Sequence, residues 1–305
     1  MTLMGEACER KIADGSGHPP RSCTSDLGLQ APSLPQSLHE WPRLSLRFTA
    51  ISQGLQASSH FGSAWHGGIG LWLHERHPLA YQALYEGAAD AVKPYLLMPP
   101  EADVIGGQSF SMEIKLFGEA TRHEMALVSA VEALAEAGVG PGRGRFTLVD
   151  VQKSHSPWDT STGAERAVLE FMTPTLIKAD NRFLDTAPDL RVVMQRGLGR
   201  LAHLGHVLAP DLKEQLLAVA QRAVLHHADL QWRTSPRYSA RQQAWMPFGG
   251  LQGNVHYFGV DASLWPWMRV VEYLHLGNKT TFGHGHIKFW PIGGQPNSSS
   301  YTCPP

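Results

Sequence analysis

Cysteine is scarce: the chain holds only Cys8, Cys23 and Cys303, all near its ends and without the spacing of a disulfide framework or a metal knuckle. A disulfide-stapled secreted scaffold is excluded, and a cytoplasmic protein is expected. Missing too is any run of about 18 apolar residues, and the first thirty residues lack a basic start followed by an apolar stretch. Neither secretion nor a membrane is expected. Net charge is almost absent, with 26 Lys and Arg against 27 Asp and Glu. No global field marks a nucleic-acid binder, so any polyanion contact has to be local.

What the chain does have is enough apolar residue, 43% of 305, to bury a sizeable core as one large domain or two small ones. Its charge is unevenly spread. Residues 75–136 carry four basic residues (Arg76, Lys93, Lys115, Arg122) and ten acidic ones. Between Arg191 and Arg241 the balance reverses, with eight Lys or Arg against Asp211, Glu214 and Asp229, and four histidines besides. The asymmetry suggests one face turned to a polyanion, although a solvated helical face gives the same count.

Residues 1–40 and the tail 291–305 are rich in Gly, Pro, Ser and small polar types and are expected to stay outside the fold. Order begins near Arg43, where Leu44, Leu46 and Phe48 alternate with polar neighbours as on a half-buried strand. A helix follows over Ala64–Tyr85, its first turn weakened by Gly67, Gly68 and Gly70. Phe110, Met112, Ile114 and Leu116 alternate as a second strand, and Thr121 with Glu124 spells a capping box for a helix ending before Gly138, with Leu127, Val131 and Leu134 as its buried stripe. Phe146 to Val151 reads as another strand.

That order, with helices on one face of an antiparallel sheet, predicts an α+β chain of two ferredoxin-like domains in tandem, at 41–155 and 156–290. In the second, strands are expected near Ala167–Phe171, Val255–Val260 and His286–Trp290, with a helix near Leu264–Leu274. Two further helices, at about Asp189–Leu208 and Asp211–Asp229, are expected as an insertion. Duplication is inferred from element order alone, since no internal repeat is detectable.

The most specific stretch runs from Arg237 to Phe289. Arg237-Tyr-Ser-Ala-Arg241 precedes Gly249-Gly-Leu-Gln-Gly253, and after the predicted helix comes His275-Leu-Gly-Asn-Lys-Thr-Thr-Phe-Gly-His-Gly285. Taken alone, a Gly-rich loop is a tight turn between a helix and an edge strand. Glycines also let backbone approach a phosphate and expose amides as an anion nest. This layout resembles the C-terminal signature of the crRNA-processing endoribonucleases of CRISPR systems, in the RAMP superfamily. The first half is similar more loosely, through Trp65-His-Gly-Gly-Ile-Gly70, Leu116-Phe-Gly118 and the Gly-rich turn at 138–145, so the resemblance covers about 43–290.

The resemblance implies metal-independent cleavage of precursor crRNA. The ribose 2′-OH attacks the adjacent phosphate and leaves a 2′,3′-cyclic phosphate and a 5′-OH, and no cofactor is required. Histidine suits the base and the acid, since its pKa is near 6.5, and a cation can stabilise the phosphoryl oxygens. Many family members keep a histidine after the first strand, at or before the first helix, where this chain has His60 and His66. His60 is therefore expected as the general base or acid and His66 as its partner or a phosphate contact, with Lys279 or Arg241 as the electropositive stabiliser, although any one of 16 histidines is by default structural.

Gly277, Asn278, Lys279, Thr280, Thr281, Gly283, His284 and Gly285 are expected to position RNA. Arg233, Arg237 and Arg241, spaced by four among Trp232, Tyr238 and Trp245, supply the guanidinium and ring pairing that RNA recognition uses, and Arg143 with Arg145 a weaker version of it. The expected partners are CRISPR repeat RNA or crRNA, other CRISPR effector-complex subunits, and a second copy in a homodimer. Two rival readings stay open. One is a non-cleaving RAMP subunit that only holds the guide; the other is a metalloenzyme built on His275, His284 and His286.

Overall fold

Alternating apolar residues make Arg43–Ser52 the first strand, and the fold grows from it. The computed structural model describes residues 30–57, 61–88, 91–140, 142–179, 181–239 and 244–293. The elements are α1 (Gln36–Glu40), β1 (Arg43–Ser52), α2 (Gly62–Arg76), α3 (Pro78–Tyr85), β2 (Tyr95–Met98), β3 (Ser109–Phe117), α4 (Glu124–Ala137), β4 (Phe146–Ser154), β5 (Arg166–Thr175), the two-residue strands β6 (Lys178–Ala179) and β7 (Arg182–Phe183), α5 (Leu190–His203), α6 (Pro210–Ala220), β8 (Val224–Ser239), β9 (Ala244–Phe258), α7 (Trp265–Leu274) and β10 (Ile287–Pro291).

Two antiparallel four-stranded sheets result, ordered β2-β3-β1-β4 and β10-β5-β9-β8. Numbered within each unit, both orders place the first and third strands at the centre, which is the ferredoxin-like arrangement expected from the sequence. Each sheet has its own apolar core. In the first, Leu44, Leu46, Phe48 and Ala50 of β1 meet Trp65, Ile69 and Leu73 of α2 and the Leu127, Val131 and Leu134 stripe of α4. Each buried Leu, Ile, Val or Phe among them contributes about 1.5–3 kcal/mol. In the second, Ala167, Leu169 and Phe171 pack with Val255, Tyr257, Ile287 and Phe289 under α5, α6 and α7.

Four expectations change. The helix over Ala64–Tyr85 is two helices, because His77 precedes Pro78 and leaves helical backbone, with φ −139° and ψ 64°. The capping box does not form: Thr121 lies in a 3-10 turn over Gly118–His123, where its hydroxyl donates to the Gly118 carbonyl instead of capping α4. The helices expected as an insertion occupy the crossover between the first two strands of their sheet, the place α2 and α3 fill in the other unit. The second of them stops at Ala220, and Val224–Asp229, expected to be helical, opens β8.

The chain is also packed well before residue 40. Leu34, Leu38 and Trp41 join the second core, and the indoles of Trp158 and Trp267 donate to the Leu38 and Pro32 carbonyls at 2.9 and 2.6 Å. This segment runs along the second unit before feeding β1 of the first, so it ties the units together. Further ties are cationic groups over rings: Arg43 over Trp158 at 4.0 Å and Lys115 over Tyr273 at 4.2 Å.

Candidate active site at the junction of the two units

The Gly-rich loop begins where α7 ends. His275 adopts φ 60° with ψ 167°, backbone that non-glycine residues rarely occupy, so its surroundings must hold it there. The loop then folds on itself. The amides of Leu276, Asn278, Phe282, Gly283, His284 and Gly285 donate to the carbonyls of Gly285, Leu176, Lys279, Thr280, Lys279 and Pro174, and the His286 amide donates to Thr173 Oγ1 at 3.0 Å. These amides are engaged within the protein, so an anion nest built from them, as the sequence suggested, is not formed. Gly285, at φ 77°, has no room for a Cβ against the Leu276 carbonyl, which is why the Gly-x-Gly ending is needed.

Arg200 of α5 fixes the loop from below. Its Nε donates to the Leu274 carbonyl at 2.8 Å and its Nη2 to Thr280 Oγ1 at 2.7 Å, and burial lowers its pKa to about 10. Thr280, Thr281, Gly283, His284 and Gly285 are buried in the loop wall, Gly277 is half-buried, and Asn278 and Lys279 form the exposed rim. Behind the rim His275 stacks on His286, with ring centroids 4.8 Å apart. Both ring nitrogens of His275 lack a hydrogen-bond partner among the described residues. Burial first, and then the Lys115 ammonium, hold His275 well below the usual imidazole range and His286 at about 4.

The loop meets the first unit at α2. Phe282 lies on the ring of His66, centroid to centroid 4.3 Å, and Gly62 at the start of α2 leaves no room for a Cβ against the Phe282 carbonyl. On its other side His66 is braced by two tyrosines: Nδ1 sits 2.7 Å from Tyr95 Oη, and the Tyr85 hydroxyl donates to the His66 carbonyl at 2.9 Å. Burial raises both tyrosine pKa values, so both remain phenols across physiological pH. When Nδ1–H donates to Tyr95, Nε2 keeps the lone pair that a general base needs. His66 and the loop that carries Lys279 are thus brought together from residues more than 200 positions apart.

The other expected residues are dispersed. His60 and Arg241 lie outside the described residues. Arg143 and Arg145 are exposed in the turn after α4, where Arg143 has φ 45°. Arg145 edges a groove of about 770 Å3 whose other charged lining residues are Glu132, Glu136 and Asp150. Arg233 is exposed opposite Gly250, and Arg237 lies opposite Met246, on the part of the β8–β9 ribbon that runs beyond the pairing with β5. Among the described residues no group of three His, Cys, Asp or Glu is placed to hold a metal ion.

Tyr85, Tyr95 and Arg200 were missed from the sequence. The signal for Tyr95 was a four-residue apolar run after Pro94, too short to stand out, and Arg200 was counted as surface charge.

The CRISPR-associated endoribonuclease Cas6 family matches residues 169–287, and an N-terminal domain family matches residues 39–170. No curated protein matches. Cas6 (TTHB231) of Thermus thermophilus in a product complex is similar at 17% identity, over 82% of this chain and 100% of that one, with TM-score 0.59. A Cas6 (TTHA0078) product complex is similar at 19% identity, over 81% and 99%, with TM-score 0.52. A Cas6-RT-Cas1–Cas2 complex is similar at 11%, over 86% of this chain and 30% of that one, with TM-score 0.56. The Cas6 family model matches residues 169–287, in the second unit, and the tandem fold is shared with solved Cas6 structures, both in agreement with the motif layout read from the sequence.

Proposed function

We propose that this protein binds the repeat of a precursor CRISPR RNA and cuts it by metal-independent transesterification at the junction between the two units. The observation that carries the reading is His66, braced by Tyr95 and pressed against Phe282 of the Gly-rich loop. In the reaction Nε2 of His66 takes the proton of the 2′-OH, whose oxygen attacks the neighbouring phosphorus. The P–O5′ bond breaks, giving a 2′,3′-cyclic phosphate and a 5′-oxygen that takes a proton to become a 5′-OH. His60, which directly precedes the cap residue of α2 in sequence, is the second histidine and the proton donor in this reading. Lys279 on the exposed rim of the loop stabilises charge on the phosphoryl oxygens. Acid–base groups of this kind contribute about 10²–10⁴-fold each.

Repeat RNA lies along the β8–β9 ribbon, where Arg233 meets phosphate, and passes the loop rim at Asn278 and Lys279, with Arg237 and Arg241 as further RNA-binding residues in this reading. Arg143 and Arg145 are a second basic contact. The T. thermophilus neighbour and its relative were solved as product complexes, which supports a fold able to hold RNA after cutting. Another neighbour belongs to a complex with Cas1 and Cas2, which supports larger CRISPR assemblies as partners. To test the reading, purified protein is incubated with end-labelled repeat RNA in EDTA and the product ends are analysed. One cut per repeat with a cyclic phosphate is expected. Tight binding without any cut would instead establish a guide-holding RAMP subunit, and a cut abolished by EDTA would establish metal chemistry.

A further inference from the structure

Arg200 is a buried charge that the proposed reaction does not use. It lies on α5 with 7% of its surface exposed and is in no ion pair among the described residues. A guanidinium shut away from water without a carboxylate is costly. Its neighbours on the helix, Val193, Met194, Gly197, Leu198 and Leu201, are buried and apolar, so packing alone would favour an aliphatic side chain at this place. What the guanidinium does instead is span the Gly-rich loop. Nε donates to the Leu274 carbonyl, where α7 ends, at 2.8 Å, and Nη2 donates to Thr280 Oγ1 at 2.7 Å. A planar fork holds two acceptors at a fixed separation, which neither an ammonium group nor an aliphatic chain can do.

The fork therefore sets where the 3-10 turn Thr280–Phe282 stands relative to the end of α7. Lys279 enters that turn and Gly283 leaves it, both in left-handed backbone at φ 65° and 85°, and the Phe282 amide closes it on the Lys279 carbonyl at 2.9 Å. The last residue of the turn carries the ring that lies on His66, with centroids 4.3 Å apart, and its carbonyl abuts Gly62 at the start of α2. Arg200 is thus linked to His66 across the junction through one hydrogen bond, one tight turn and one ring contact. A misplacement of about 1 Å at a reacting group can cost about 10²-fold in rate. We propose that Arg200 is a positioning residue for cleavage: its bond to Thr280 sets the turn so that the Phe282 ring holds the His66 imidazole in line with the 2′-OH. The inference rests on the proposed reaction with His66 as base.

The test uses the full chain and single-turnover cleavage of end-labelled repeat RNA, with affinity and thermal unfolding measured on the same preparations. Thr280→Val keeps the shape of the side chain and removes the acceptor. It is expected to cut about tenfold or more slowly at an affinity within about twofold of wild type. Thr280→Ser, which keeps the hydroxyl, is expected to cut at least about fivefold faster than Thr280→Val. Phe282→Ala is expected to cut slowly, and Thr280→Val/Phe282→Ala to cut within about twofold of Phe282→Ala alone, because the bond acts through that ring. Arg200→Lys, which keeps the charge and loses the fork, is expected to slow cleavage as Thr280→Val does and stands in for it if that variant does not fold.

The proposal is overturned if folded Thr280→Val cuts at the wild-type rate, if it slows only in proportion to lost affinity or lost folded protein, if Thr280→Ser cuts no faster than Thr280→Val, or if the double variant multiplies the two losses. A wild-type protein that does not cut repeat RNA would overturn the nuclease reading and this proposal with it, whereas a wild type and a Thr280→Val protein that cut equally would overturn the proposal alone.

Discussion

Acid should destabilise the protein through the stacked pair His275 and His286, and the size of the effect follows from its surroundings. Burial first, then the Lys115 and Lys288 ammonium groups, lower the His286 pKa from 6.5 to about 4, and only Glu113 opposes them. His275 is lowered in the same direction by burial, Lys115, His286 and Arg200. A folded-state pKa below the unfolded one means that, under pH 6.5, the unfolded chain takes up a proton that the folded chain refuses. Stability is therefore lost as pH falls from 6.5 towards 4, at about 1.4 kcal/mol per pH unit for each histidine. By about pH 5 His286 alone accounts for roughly 2 kcal/mol, and for roughly 3 kcal/mol when the loss is complete.

His286→Phe keeps a ring against His275 and removes the proton. Urea unfolding followed by fluorescence of the nine tryptophans, at about pH 7.5 and about pH 5, measures the difference. Wild type should lose about 2 kcal/mol more than the variant between the two conditions. Equal losses would refute the reasoning, and so would a wild-type protein that gains stability on acidification.

Further outcomes follow from the same geometry. Arg200→Met leaves the Leu274 carbonyl and Thr280 Oγ1 without their donor, and should lower stability by about 2–4 kcal/mol in thermal or urea unfolding. Gly62→Ala drives a methyl group into the Phe282 carbonyl; it should cost about 2 kcal/mol or more and slow cleavage in proportion to how far α2 is pushed from the loop. Tyr95→Phe removes the partner of His66 Nδ1, and single-turnover cleavage should fall about tenfold while RNA affinity stays within about twofold. Arg233→Ala should weaken RNA binding and reduce the slope of log affinity against log salt by about 1.

Much of the fold was legible because period and punctuation agreed. In β1 Leu44, Leu46 and Phe48 are buried as their alternation predicts, although Arg43 and Ser45 are buried as well, and α4 ends at Gly138, whose φ is 88°. Elements that escaped reading broke one of those signals. β2 is four residues long, and the start of β8 carries a bulge between Leu225 and His227 that disrupts its alternation, so it was read as helix. Residues 30–40 read as tail by composition, yet a few apolar side chains there find a core already formed by other elements.

The candidate site divides the same way. His66 and the Gly-rich loop were visible as motifs, because close approach and left-handed backbone need glycine at fixed places. Their bracing was not. Tyr95 reaches His66 from another strand, and Arg200 reaches Thr280 across 80 residues of sequence. The loop amides could be assigned to internal bonds only once the backbone path was known.

In the proposed reaction His66 transfers the proton where the two units meet. Single-turnover cleavage of end-labelled repeat RNA by His66→Ala, with affinity measured on the same preparation, tests it most directly. A rate reduced by about 10²-fold or more at unchanged affinity is predicted. A His66→Ala protein that cuts at the wild-type rate would contradict the account.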